Sequence, residues 1–212
     1  MAKKPPERGS LSRERILGAA LAIVDRDGLD AISMRRLGEV LGVEAMSLYH
    51  HVPNKAAILD GIFETVLAEL PPVDRSGRWE AITLRQARAL RDVLRAHPNT
   101  LPLFATRPAV TMASLTHLED ALDVLRNAGF RVDDALSVLQ VVLAFVVGHT
   151  ISAYGPRAPD DASTPAYDAL SPDEFPRVRE VAAILASHDV DAELDLGLDA
   201  LVRGLAGLRK KR

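Results

Sequence analysis

Between Ser33 and Lys55 the chain carries side chains suited to a polyanion and to the exposed edges of bases. Ala45, Met46, Ser47, Tyr49 and His50 are small, apolar or hydrogen-bonding groups that can approach base edges and phosphates. Arg35 and Arg36 stand just upstream, beside Ser33, where a guanidinium can fork onto a guanine edge or a phosphate. Lys55 opens a further helix whose free N-terminal amides also favour a phosphate. His50 and His51 are adjacent, so in a helix they point about 100° apart. With no third ligand at i+4, they read as one DNA contact and one packing residue, not as a metal site.

These residues need elements to position them. Ser12 can cap a first helix with Ile16, Leu17, Ala20, Leu21, Ile23 and Val24 on one face, and Gly28 closes it. Ser33 can cap a second helix carrying Leu37, Val40 and Leu41 inward. Gly42 then allows a tight turn, after which Val43 and Leu48 re-enter the same small core. Two helices joined at a steep angle by three or four residues form a helix-turn-helix, with the second helix (about 45–50) free on one face. Pro53 breaks the chain, and Asn54 caps a longer helix to about residue 70.

Pro71 and Pro72 open a linker. Beyond it the periodicity predicts helices over about 79–96, with Ile82, Ala87, Leu90, Val93 and Leu94 buried, and from Pro108 at N1 to Gly129, with Leu115, Leu118, Leu122 and Leu125 inward. An apolar helix capped by Asp133 spans 133–154, a long loop 155–172, and two more helices about 177–187 and 191–209. The predicted fold is all-α, with nine or ten helices. A basic arm (1–11), a three-helix helix-turn-helix unit (12–70) and a larger helical domain (71–212) make up the chain.

Composition sets bounds. Aromatics are only 4%, so the core is aliphatic. The chain has no cysteine, which excludes disulfides and thiolate chemistry. Net charge is −3, with a small basic surplus in the first 55 residues, so overall basicity does not argue for nucleic acid. No apolar stretch follows Lys3 and Lys4, and the longest unbroken apolar run, from Val141 to Val147, is far short of a membrane span. The expectation is a cytoplasmic protein with no membrane partner and no cofactor.

The stretches Ile16-Leu17-x-Ala19-Ala20-Leu21, Gly28-Leu29-x-Ala31-Ile32-Ser33-Met34-Arg35, Leu41-Gly42-Val43 and Ser47-Leu48-Tyr49-x-His51-Val52-x-Asn54-Lys55 closely resemble the DNA-binding domain of the TetR family of bacterial transcriptional repressors. Further on, Thr106-Arg107-Pro108, Asn127-Ala128-Gly129-Phe130, Ala135-Leu136-x-x-Leu139 and Phe145-x-x-Gly148 resemble the tetracycline-repressor branch. The resemblance implies a homodimer on a palindromic double-stranded DNA operator, with a small-molecule pocket in the C-terminal half that releases DNA when filled. Tetracycline repressors place a histidine before the Thr-Arg-Pro and a glutamate late in the apolar helix, and both help bind a magnesium–tetracycline complex. Leu103 and Ser152 stand there in this chain, and neither suits Mg²⁺.

Gln86, Leu90, Leu103, Phe104, Arg107, Leu118, Leu139, Leu143 and His149 are the expected effector-binding residues, although most would serve equally as core. Their aliphatic surplus points to a largely apolar effector, with Gln86 and Arg107 as polar anchors. His97, His117 and His188 read as surface or satisfied core histidines. The acidic run from Asp189 to Asp195 lacks the glycine and closing glutamate of a calcium loop and reads as a helix opening. On 191–209, Gly197, Ala200, Gly204 and Gly207 are small enough to admit a partner helix, and an intramolecular core explains them as well. The resemblance favours a dimer through 133–154 and 191–209. No phosphate loop, His-Glu-x-x-His or nucleophile elbow supports an enzyme. An effector-independent DNA-binding protein is the other alternative.

Overall fold

A computed structural model describes residues 10–107, 111–156, 167–185 and 187–209, and among these there are ten α-helices and no strand. Most of the expected basic arm, Pro108 and residues 157–166 of the expected loop lie outside the described residues.

The first four helices form where local chemistry directs. α1 (Arg13–Asp27) starts at Ser12, whose hydroxyl accepts from the Arg15 amide at 3.2 Å, and its six inward apolar residues are buried. It stops at Gly28, which takes φ +81° and donates to the Val24 carbonyl at 2.8 Å. α2 (Met34–Leu41) is capped by Ser33, α3 (Ala45–Leu48) is a single turn, and α4 (Lys55–Leu67) is capped by Asn54, which accepts from Ala57 N at 2.9 Å. Each such cap is worth about 1 kcal/mol. Ile16, Leu37, Leu48, Ile58 and Ile62 meet with no exposed surface, and each contributes roughly 1.5–3 kcal/mol by leaving water.

The C-terminal body comprises α5 (Trp79–Ala96), α6 (Leu101–Thr106), α7 (Met112–Asn127), α8 (Val132–Tyr154), α9 (Pro176–Leu185) and α10 (Val190–Leu205). α8 is its axis, packed against α5, α6, α7 and α10. Its 23 residues include a window of mean hydropathy 1.9, so by length and composition α8 is apolar enough to cross a membrane. The unbroken run from Val141 to Val147 understates this, because single Ser, Gln and Gly residues interrupt the sequence without making the helix polar. α5, α6, α7 and α10 cover only part of this apolar surface, and Leu136, Val141, Leu143 and Ile151 stay exposed.

Several local expectations shift. Val40 is 54% exposed instead of inward. Leu37, Gly38 and Leu41 centre the buried arc of α2, and at 3.6 residues per turn Val40 lies roughly 100° away from it. Leu115, on α7, is also exposed. α7 begins at Met112 under a Thr111–Ser114 capping box, since this reciprocal pair supplies a start signal downstream of Pro108. α8 starts one residue before Asp133, which sits in its first turn 3.2 Å from Arg131 Nε. At Gly197 an added Cβ would lie 2.2 Å from the Phe145 ring. That glycine therefore makes room for a side chain of its own chain. At Gly204 and Gly207 an added Cβ would meet nothing within 4 Å.

The core does not stop at the linker. One buried cluster runs from Ile16, Ile58 and Ile62 through Phe63 to Leu94, Leu101, Leu103, Phe104 and Val147. The Phe63 and Phe104 rings meet at 4.6 Å between centroids.

Candidate nucleic-acid interface and its joint to the C-terminal body

The turn between α2 and α3 is closed by the Val43 amide donating to the Gly38 carbonyl at 3.0 Å, with Gly42 left-handed at φ +69°. Gly42 is legible as the turn residue from sequence; Gly38 is not. A Cβ on Gly38 would sit 2.8 Å from the Val43 oxygen and 3.3 Å from the Ala45 nitrogen. Both are backbone atoms, so α3 can approach α2 this closely only over a glycine.

Leu48 pins α3 with no exposed surface, and Val52 is nearly as buried. The rest of the short helix stands clear. Met46 is 74% exposed and Tyr49 46%, while His50 and His51 are exposed and Ala45 and Ser47 half-buried. Arg35 is almost fully exposed, with Glu39 at 3.5 Å. Arg36 reaches Asp27 at 2.5 Å and so ties α2 to the end of α1. The Ser33 hydroxyl accepts from the Arg36 amide at 3.2 Å, and Lys55 is exposed at the start of α4. The ten sequence-selected residues thus lie on or beside one short turn, with Met46, Tyr49, His50 and His51 exposed.

The nine expected effector residues are spread more widely. Leu103 and Phe104 are buried in the cluster shared with α1 and α4. Arg107 is ion-paired with Asp60 of α4 and directs a further N–H at the Ala56 carbonyl, 3.4 Å away. It therefore faces the DNA-binding unit. Gln86 and Leu90 on α5 and Leu118 on α7 are half-buried. Leu139 packs beside the Trp79–Phe130 pair, and Leu143 is 45% exposed. The His149 ring is largely enclosed, with Nε2 3.7 Å from Glu193 and a buried Nδ1 that has no hydrogen-bond partner. Two cavities of about 480 Å³ open on the body, one beside Trp79, Arg75 and Arg209 and one beside Arg131 and Leu136. None of the nine residues lines either cavity. Leu103 is buried and Ser152 exposed, and no group of three acidic or histidine side chains that could hold a metal occurs among the described residues.

Two polar joints have no signature in the sequence. His97, just past α5, places Nδ1 2.9 Å from Asp25 of α1 and Nε2 3.1 Å from Glu69 beyond α4. Asn99 follows, donating to the carbonyls of Val24 and Asp25 at 3.0 Å. On the far side, Asp191 receives Arg91, Arg95 at 3.1 Å and the Tyr154 hydroxyl at 2.8 Å, fastening α10 to α5 and α8. The Tyr154 hydrogen bond, helped by both guanidinium charges against some desolvation, holds the Asp191 carboxyl below the ordinary range. The partners lie 28 to 100 residues apart, so no local pattern announces them.

Residues 16–62 match the family of bacterial regulatory proteins, tetR family, and residues 71–209 match the tetracyclin repressor-like C-terminal domain. The chain belongs to the TetR family. A helix-turn-helix transcriptional regulator of Saccharopolyspora erythraea is 32% identical over 202 residues, covering 92% of this chain and 85% of that protein. The class D tetracycline repressor of Escherichia coli is 30% identical over 207 residues, covering 92% and 88%. Among solved structures, apo ActR of Streptomyces coelicolor superimposes with a TM-score of 0.80 at 30% identity, covering 98% of each chain. This TetR protein is accordingly a DNA-binding transcriptional regulator, of a family whose domains regulate transcription and are not enzymes.

Proposed function

We propose that this TetR-family chain is a ligand-responsive repressor. It binds a palindromic double-stranded DNA operator as a homodimer and is released by a small, largely apolar effector. The observation that carries the reading is α3, a single turn held by Leu48 that leaves Met46 and Tyr49 exposed where they can reach base edges. Arg35, Arg36 and Lys55 would position the duplex through its phosphates, and Ser33, Ala45, Ser47, His50 and His51 complete the contact surface.

Exposed apolar residues on the two helices expected at the dimer interface support self-association: Leu136, Val141, Leu143 and Ile151 on α8, and Leu196, 70% exposed, on α10. Related structures support an effector. ActR of Streptomyces coelicolor has been solved with actinorhodin (30% identity, TM-score 0.79), and a single-residue variant of TetR from Acinetobacter baumannii with minocycline (26%, TM-score 0.73). For this chain Leu103 and Ser152 argue against a magnesium-chelated tetracycline. Gln86, Leu90, Leu118, Leu139, Leu143 and His149 remain its proposed effector contacts, whereas Leu103, Phe104 and Arg107, which meet the DNA-binding unit, would link the effector site to α4.

A gel-shift with DNA upstream of its own gene should show a retarded band that an apolar metabolite disperses. No shift with that or any neighbouring promoter fragment would overturn the reading. A shift indifferent to every effector tried would leave a DNA-binding protein without a ligand.

A further inference from the structure

We propose that His97 is a protonation-dependent clasp between the DNA-binding unit and the C-terminal body, closed by two simultaneous hydrogen bonds from its ring to Asp25 and Glu69. The geometry demands the charged ring. A neutral imidazole carries one N–H, and its other nitrogen only accepts. Both His97 nitrogens lie close to carboxylate oxygens, at 2.9 Å to Asp25 and 3.1 Å to Glu69. Ionised carboxylates cannot donate, so both contacts are made only by the imidazolium. Losing a proton turns one of them into two lone pairs facing each other.

The setting favours that charge. Partial burial of the ring opposes it, but the hydrogen bonds that the ring donates to Asp25 and then Glu69, with the negative charges of both, outweigh burial and hold His97 above its ordinary value. Asp25 is also in the last turn of α1, whose dipole end attracts a cation. Of the other charges on these elements, Arg95 is turned to Asp191, Arg26 to Asp27 and Glu64 to Arg13. Asp25 and Glu69 are thus the charged groups that face the ring. Asn99 grips the same end of α1 through two carbonyls and does not titrate. The joint therefore has one pH-independent arm and one pH-dependent arm.

The sign follows. A histidine raised in the folded state contributes stability fully below the unfolded value of about 6.5 and loses it as pH rises through the folded value. The clasp is closed in mildly acidic conditions and opens under alkaline ones, which changes how firmly the DNA-binding unit is tied to α5 and α6.

The test compares urea unfolding of the full chain with His97→Gln at about pH 5.5 and about pH 9, on either side of the histidine range, together with an NMR titration of the ring. A glutamine carries both of its N–H donors on one nitrogen and does not titrate, so at no pH can it set a donor at each of the two ring-nitrogen positions. The expected result is a wild-type midpoint clearly above that of His97→Gln on the acidic side, with the gap mostly lost on the alkaline side. The ring should titrate above the ordinary value of about 6.5 and fall toward it in Asp25→Asn/Glu69→Gln. A gap of equal size at both pH values, or a wild-type ring titrating at or below the ordinary value, overturns the clasp and leaves His97 a packing residue.

Discussion

The helix-turn-helix and the joint that carries it share one buried core but are specified in opposite ways. In the helix-turn-helix, Ser33 caps α2, Gly42 takes the left-handed turn, Leu37 and Leu48 fill the floor, and all lie within about fifteen residues. At the joint, His97 meets Asp25 and Glu69, Arg107 meets Asp60, and Phe104 meets Phe63, across 28 to 72 residues. The first region is written in its own short stretch of chain. The second is written only in three dimensions, and it is what ties the DNA-binding unit to the C-terminal body.

If one core serves both regions, damage to either should melt them together. Leu48→Ala in the helix-turn-helix and Leu101→Ala at the joint each remove a fully buried leucine from the same cluster, at a cost of about 2–5 kcal/mol. Unfolding followed by far-UV circular dichroism and by Trp79 fluorescence should show coincident transitions in both variants. A Leu48→Ala protein whose helical signal drops first, with the Trp79 transition unmoved, would separate the regions.

Gly38→Ala sharpens the contrast, because its Cβ strikes backbone and not a pliable side chain. We expect about 1–3 kcal/mol of lost stability and a larger relative loss of operator affinity, since α3 must swing away. A crystal structure of the variant with α3 unmoved would contradict that. Tyr49→Ala should leave the unfolding midpoint within error, while costing about 1–3 kcal/mol of operator binding, the worth of a base-edge contact. An unchanged dissociation constant would misplace the reading surface. Arg107→Ala should cost little stability, about 1 kcal/mol for a partly exposed pair. Here the telling quantity is release. Effector affinity measured without DNA should hold, while the effector concentration needed to free the operator changes. Loss of effector binding itself would make Arg107 a ligand contact instead of a link to α4.

What the residues reveal in advance tracks this division. The caps at Ser12, Ser33 and Asn54, the stops at Gly28 and Gly42, and the span of α5 follow from hydrogen-bonding chemistry and 3.6-residue periodicity, and they appear where those rules put them. Gly38 escapes such rules because its demand comes from a neighbouring backbone and not from its own dihedrals. The capacity of α8 to pass for a membrane span escapes a search for unbroken runs, because Ser137, Gln140 and Gly148 leave its overall composition apolar. His97 reads as a scattered histidine, since neither Asp25 nor Glu69 stands within a helical turn of it. For the effector residues, sequence puts Arg107 and Phe104 on a pocket wall, whereas Asp60 and Phe63, which they meet, both belong to α4. Side-chain direction at a helix end depends on what the fold brings opposite, and that is a non-local fact.

The most direct trial of the central claim, that α3 reads DNA, is a hydroxyl-radical footprint on an operator fragment with wild-type protein and Tyr49→Ala. Two protected stretches one helical turn apart are expected, about 34–36 Å for a dimer with two recognition helices, both lost in the variant. A footprint that persists unchanged in Tyr49→Ala, or none on any promoter-derived fragment, would contradict it.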